Sequence, residues 1–215
     1  MIRLLPYRQV DDQFVINMFS TVAANDVPTD TDADAGMVVK VSANDLDQPP
    51  VQLADNSLLG KTDYPYVARN QYPSVPMKVE ACGATDVPLG ITLAQTLIKD
   101  ENGENLLRYP QKQAEMYSVN SGQAVPIVTK GILTFDESAF TNSTSDIQDA
   151  DTYATYKVAV AAASGKMTLK AAAAGSDVVI GKVIGVGVRT SKTSTDQFAG
   201  SFGESAAYVV VKVDL

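Results

Sequence analysis

Tyr156-Lys157-Val158-Ala159-Val160 and Lys166-Met167-Thr168-Leu169-Lys170-Ala171, with Ser164-Gly165 between them, are the stretches that decide the fold. In the first, Tyr156, Val158 and Val160 alternate with Lys157 and Ala159. In the second, Met167, Leu169 and Ala171 alternate with Lys166, Thr168 and Lys170. Successive side chains of an extended chain point to opposite faces, so a period of two predicts strands with one buried and one wet face. Ser-Gly is turn chemistry, and the two runs read as a hairpin.

Working outward, residues 178–188 form an apolar run interrupted by Gly181, Gly185 and Gly187, and 208–213 is a last strand with Val209, Val211 and Val213 on one side. Residues 136–152 are rich in Asp, Ser, Thr and Asn and are expected to be an exposed loop. Residues 124–135 read as one long strand in which Gly131 marks a bulge or bend. Asn102-Gly103, between Leu97-Ile98 and Leu106-Leu107, is a hairpin signal because Asn-Gly tolerates φ > 0 at both central positions. Residues 75–81 and 87–93 read as strands with Gly83 between them, and 37–41 as a short strand.

Further towards the N-terminus the pattern loosens. Residues 42–74 carry Pro49-Pro50, Gly60, Tyr64-Pro65-Tyr66 and Tyr72-Pro73, and proline cannot donate to a ladder. A structureless run of that length suits an extended arm or lid held by a partner. Residues 25–36 are acidic and turn-forming. Within 1–24, Val10, Phe14 and Met18 fit either two helical turns or an extended arm. The expectation is an all-β chain of roughly eight to ten strands, an antiparallel β-sandwich or barrel-like core with a loop-rich extended N-terminal region. The composition shift near residue 75 divides an irregular region, 1–74, from a β-rich core, 75–215.

Composition narrows the function. The chain has 215 residues, 45% of them hydrophobic, with 14 Gly and 10 Pro, which suits turn-rich β architecture with a real core. Its net charge of −8 and lack of a basic cluster along the sequence argue against nucleic-acid binding and favour solubility before assembly. No signal peptide or membrane-spanning run is expected, since the apolar stretches are short. Histidine and tryptophan are absent and Cys82 is the single cysteine, which excludes Ser-His-Asp and Cys-His catalysis, zinc fingers and iron–sulfur clusters. Cys82 itself, at the end of an apolar run, reads as a small buried residue.

The remaining motifs fail on spacing. Gly175 to Lys182 has five residues between its glycines where a phosphate loop has four, and Val183 stands where that loop needs Ser or Thr. Gly185-Val-Gly187 lacks the third glycine of a dinucleotide fingerprint. Asp30-Thr-Asp32-Ala-Asp34-Ala-Gly36 opens like a calcium loop, but Gly36 falls at position 7 and Val41 at position 12. Asp30, Asp32 and Asp34 are therefore candidates only for a looser calcium site, beside the plainer reading of a solvated acidic turn. No two carboxylates are marked as a glycosidase pair. The sequence calls for no cofactor and no catalytic residue.

Several segments in order carry a resemblance: Ile16-Asn-Met-Phe19, Gly36-Met-Val-Val-Lys-Val41, Tyr72-Pro-Ser-Val-Pro-Met-Lys-Val79, Val87-Pro-Leu-Gly-Ile-Thr-Leu93, Asp100-Glu-Asn-Gly-Glu104, Ser121-Gly-Gln-Ala-Val-Pro-Ile-Val-Thr-Lys-Gly131, Ser164-Gly-Lys-Met167, Ile180-Gly-Lys-Val-Ile-Gly185 and Val209-Val-Val-Lys-Val213. In this order the chain resembles the head decoration, or capsid cement, proteins of tailed bacteriophages, most closely over 75–215. The resemblance implies a non-enzymatic virion protein on the outer capsid surface, made in the host cytoplasm, bound to the major capsid protein and to itself as a homotrimer. The arm with Tyr64, Tyr66 and Tyr72 would then supply aromatic anchors to the partner, the alternative being that these rings pack on their own domain. Each motif is also ordinary β chemistry; the order carries the likeness. Two other readings compete: a carbohydrate- or receptor-binding β module or tail/baseplate component, calcium-assisted through Asp30–Asp34, and a carboxylate hydrolase.

Overall fold

The hairpin at the centre of the sequence is present in the computed structural model, which describes residues 2–21, 34–42, 77–97, 102, 106, 109–119, 123–143, 147, 155–188 and 207–215. Strands β10 (Val158–Ala161) and β11 (Met167–Lys170) pair antiparallel, Val158 opposite Lys170 and Ala161 opposite Met167. Ser164 and Gly165 make the turn at φ of +58° and +67°. The buried face, however, is not the one the valine pattern marks. Ala159 and Ala161 join Met167 and Leu169 in the core, and Val160 is buried outside that cluster. Small residues opposite large ones let the hairpin interlock with its neighbours, so the alanines turn inward.

The chain is all-β apart from one short helix among the described residues. In order it runs β1 (Gln9–Val10), β2 (Val15–Thr21), β3 (Val38–Val41), β4 (Lys78–Ala81), β5 (Gly90–Thr92), β6 (Gln95–Thr96), helix α1 (Pro110–Glu115), β7 (Ser118–Val119), β8 (Ala124–Val128), β9 (Lys130–Asp136), β10 and β11, then β12 (Val179–Val188) and β13 (Ala207–Asp214). Six strands form an antiparallel sheet in the order β1-β9-β13-β12-β10-β11, and five close a barrel in the order β2-β4-β3-β5-β8. β6 and β7 pair in parallel beside them. Period two holds along β13, where Ala207, Val209, Val211 and Val213 are buried.

Residues on both sides of position 75 build the barrel: β2 and β3 come from before it, β4, β5 and β8 from after. Val10, Phe14 and Met18 lie on β1, a 3-10 turn over Asp12–Phe14 and β2, so the segment is extended and not helical. Asp11 caps that turn by accepting from the Gln13 N–H at 3.2 Å. The long run 124–135 is two strands in two sheets. It breaks at Thr129, whose N–H donates to the Phe14 carbonyl at 2.9 Å and whose carbonyl accepts from Leu215 at 3.0 Å. Gly131 is not the bend. It sits inside β9, where a Cβ would come within 2.9 Å of the Gln9 carbonyl of β1.

Barrel and sheet share one apolar core. It runs from Ile2, Met37, Val38 and Ile91 to Phe135, Leu169 and Val211. The segment after β9 contributes to it, against the expectation of an exposed loop: Ala139, Phe140 and Ile147 are buried. Its described apolar residues point in, while Thr141 and Ser143 are exposed. Of the Asn102-Gly103 hairpin, Asn102 lies in a turn and Gly103 lies outside the described residues.

Lys40 on β3 bridges Asp86 at 2.8 Å and Glu80 at 3.2 Å. The Lys40 ammonium, then the Gly83 N–H, hold the Asp86 carboxyl below the usual carboxylate range. A depressed folded pKa adds stability that is present above the unfolded value and is lost as pH falls through the folded one. Asp86→Asn is therefore expected to flatten the acid limb of a pH–stability curve below the ordinary aspartate range, measured by urea denaturation at graded pH. An unchanged acid limb refutes the contribution of this pair.

Candidate functional site: the surface around Tyr117 and Arg8

A β protein can recruit a partner through an open strand edge, and the sequence leaves such an edge open in principle. The sheet closes both of its own. Along β11 the Thr141 N–H donates to the Met167 carbonyl at 2.9 Å. The Asn142 side chain accepts from the Leu169 N–H at 2.7 Å and donates to the Leu169 carbonyl at 3.2 Å. A single amide thus occupies both outward groups of Leu169. At the other edge, residues ahead of β1 run along β9, with Leu5 N–H on Thr134 at 2.8 Å and Asp136 N–H on Arg3 at 3.1 Å. β1 itself is two residues long, too short to template a partner strand. Among the described residues, then, neither edge of the six-stranded sheet offers a long open strand.

Two described residues with a Cβ hold a positive φ, Ser164 in the hairpin turn and Tyr117, and the one with a large side chain is Tyr117. It follows α1, where the N–H of Met116 closes on Lys112 at 3.0 Å and that of Tyr117 on Ala114 at 3.1 Å. Its φ is +52°, the left-handed region that usually takes glycine or asparagine after a helix. For a residue with a Cβ that conformation costs about 1–2 kcal/mol. Burial does not offset it, because the residue is 67% exposed. The surroundings fix it in place: the Gln95 side chain donates to the Met116 carbonyl at 3.0 Å, and the Ser118 hydroxyl donates to Gln113 at 3.2 Å. The Arg8 guanidinium lies 5.3 Å from the centre of the Tyr117 ring, a cation–π distance. Tyr7, beside Arg8 in sequence, is also exposed. Tyrosine and arginine are the residue types enriched where interfaces are strongest.

Asparagine at this position is expected to relieve the backbone. Tyr117→Asn should raise stability by about 0.5–1 kcal/mol, the αL relief less the lost ring contact. A urea midpoint that falls would show that the ring contributes more to the fold than its exposure indicates.

Of the residues singled out in the sequence as site candidates, the structure describes only Asp34. Asp34 is 3% exposed, and its carboxylate accepts the Ile2 N–H at 2.5 Å while its main-chain oxygen accepts the Thr92 hydroxyl at 2.8 Å. It fastens the N-terminal segment to the barrel instead of standing in a solvated turn. Asp30 and Asp32, and Tyr64, Tyr66 and Tyr72, lie outside the described residues. Among the described residues no group of three potential ligand side chains could hold a metal ion. Removing the acceptor leaves a buried N–H unsatisfied, so Asp34→Ala is expected to cost about 1–3 kcal/mol, and Asp34→Asn, which keeps an oxygen there, less. Equal losses from both would refute the hydrogen-bond account.

Cys82 is buried, and burial, then the Asp86 charge, push its thiol up, so it stays protonated and inert as a nucleophile at neutral pH. No described helix is long and apolar enough to cross a membrane. No protein-family model, curated protein or solved structure matches the chain. Sequence reasoning passed over Tyr117 and Arg8, because nothing in Ala114-Glu115-Met116-Tyr117 marks a tyrosine for a glycine's conformation.

Proposed function

We propose that the chain is a non-catalytic virion protein, a capsid decoration or cement protein that docks on the outside of a tailed-phage head and bridges major capsid protein subunits. The observation that carries its docking role is the Tyr117–Arg8 pair: an exposed ring kept in a costly conformation, on a fold whose six-stranded sheet offers no long open edge among the described residues. The head as its place rests on the order of strand motifs along the chain. Strands β4, β5, β8, β11, β12 and β13 overlap those motifs, while β10 precedes the Ser164–Met167 one.

In this reading the work is mechanical. Binding only the assembled shell stabilises that shell by mass action. Weak single contacts suffice, because many copies on one lattice, and a homotrimer presenting three sets of contacts, act through effective concentration. Tyr64, Tyr66 and Tyr72 would add anchors to those of Tyr7 and Tyr117. The test is mass spectrometry and cryo-EM of purified virions. Hundreds of copies on the outer head lattice support the reading. A few copies at the tail move the role to attachment or tail structure, and absence from the particle refutes it.

A further inference from the structure

Lysines that are far apart in sequence meet on one face of the six-stranded sheet. On β13, Val209, Val211 and Val213 point into the core, so Lys212 and Asp214 point out. The register sets Lys212 directly opposite Lys182 on one side and Ile132 on the other. Lys182 in turn faces Val158, and Val158 faces Lys170. A single row of side chains thus crosses five strands, each step about 4.8 Å. Lys130 and Lys170 are neutralised by Asp214 at 2.9 Å and Asp177 at 2.8 Å. Lys182 and Lys212 have no carboxylate at ion-pair distance among the described residues, and both are exposed. Like charges directly opposite on neighbouring strands repel.

The chain as a whole carries −8, so a face with an excess of positive charge is a local inversion of its surface. The row is also partly apolar, and Val179, opposite Val160 on the same face, is 42% exposed. We propose that this face, centred on Lys182 and Lys212, docks an acidic protein surface, which in the decoration reading, on which the assignment rests, is an acidic patch of the outer shell. Interleaved valine, isoleucine and lysine fit the mixed apolar and charged character of a protein interface. A polyphosphate is the poorer occupant, because two ammonium groups, both within electrostatic reach of Asp214, release few counterions and the rest of the chain repels it.

The test has two arms. In the first, purified heads lacking this chain are titrated with the wild type, with Lys182→Glu/Lys212→Glu, and with Arg3→Glu/Lys166→Glu as a control of equal charge change. The expected result is a loss of at least about tenfold in affinity for the first variant alone, with wild-type binding weakening as salt rises. Equal binding by the two variants overturns the inference. In the second arm, poly-L-glutamate is added to the labelled full chain, and amide shifts centred on 158, 182 and 212 are expected. Such shifts without head binding would sink the decoration reading and keep the acid-docking face; no shifts there would sink the face. Tighter binding of duplex DNA than of poly-L-glutamate through the same residues also overturns it, in favour of a nucleic-acid surface.

Discussion

Gly165→Ala is expected to destabilise the protein by about 2–5 kcal/mol, the sum of a left-handed residue acquiring a Cβ and an overpacked contact. Gly165 sits at φ +67° at the tip of the β10–β11 hairpin, and its N–H donates to the Cys82 carbonyl at 2.9 Å. A Cβ there would run into the Met37 side chain and come within 2.9 Å of the Val38 carbonyl. Met37 and Val38 are fully buried at the start of β3. The hairpin tip of the sheet is thus seated directly on a barrel strand, and the substitution has no space to relax into. Urea denaturation followed by tyrosine fluorescence and far-UV circular dichroism measures the loss. Ser164→Gly at the neighbouring positive φ is the control, expected to be tolerated, because there the change removes a Cβ from a strained backbone. A Gly165→Ala variant as stable as wild type would mean the tip is not seated on β3.

The same joint explains what the sequence makes legible and what it does not. Strands β10 to β13 are readable because period two is a local signal, repeated over Met167 to Lys170 and over Val209 to Val213. The face that turns inward is not local. Ala159 and Ala161 win the core over Val158 because Met167 and Leu169 stand opposite and fill the space. The break at Thr129 is invisible for a similar reason. Threonine is a good strand residue, and what ends β8 there is hydrogen bonding to Phe14, 115 residues away, and to Leu215. The candidate site follows the same rule. Asp34 is conspicuous as one of three spaced acids, yet its partner is the Ile2 N–H, and no spacing announces it. Arg8 and Tyr117 meet only because the N-terminal segment is laid along β9 and the turn after α1 is tied to β6. The basic row exists only once the strand register is known: its lysines belong to β9, β11, β12 and β13, one to each strand, so no single segment reads as basic.

Phe135→Ala is expected to cost about 3–5 kcal/mol, the range for emptying a large aromatic from a closed core. Phe135 is fully buried on β9, with Val209 of β13 opposite it on one side and Leu4 bridging it on the other. Its ring meets that of Phe140 edge to face, with centroids 6.1 Å apart and planes at 82°. That geometry sets the positive edge of one ring against the negative face of the other and adds about 0.5–1.5 kcal/mol beyond burial. A double-mutant cycle with Phe140→Leu isolates that part, and a coupling near zero would remove the edge-to-face contribution from the account. The shape of the transition carries more. Phe135 lies in the sheet, while Val38, Ile91 and Ile127 of the same apolar cluster lie in the barrel. One shared core predicts that the loss appears as a single cooperative transition shifted to lower urea, seen equally by fluorescence and circular dichroism. Two separated transitions, with the barrel surviving the sheet, would mean that Gly165 on β3 and Thr129 between β8 and β9 join two units that melt apart.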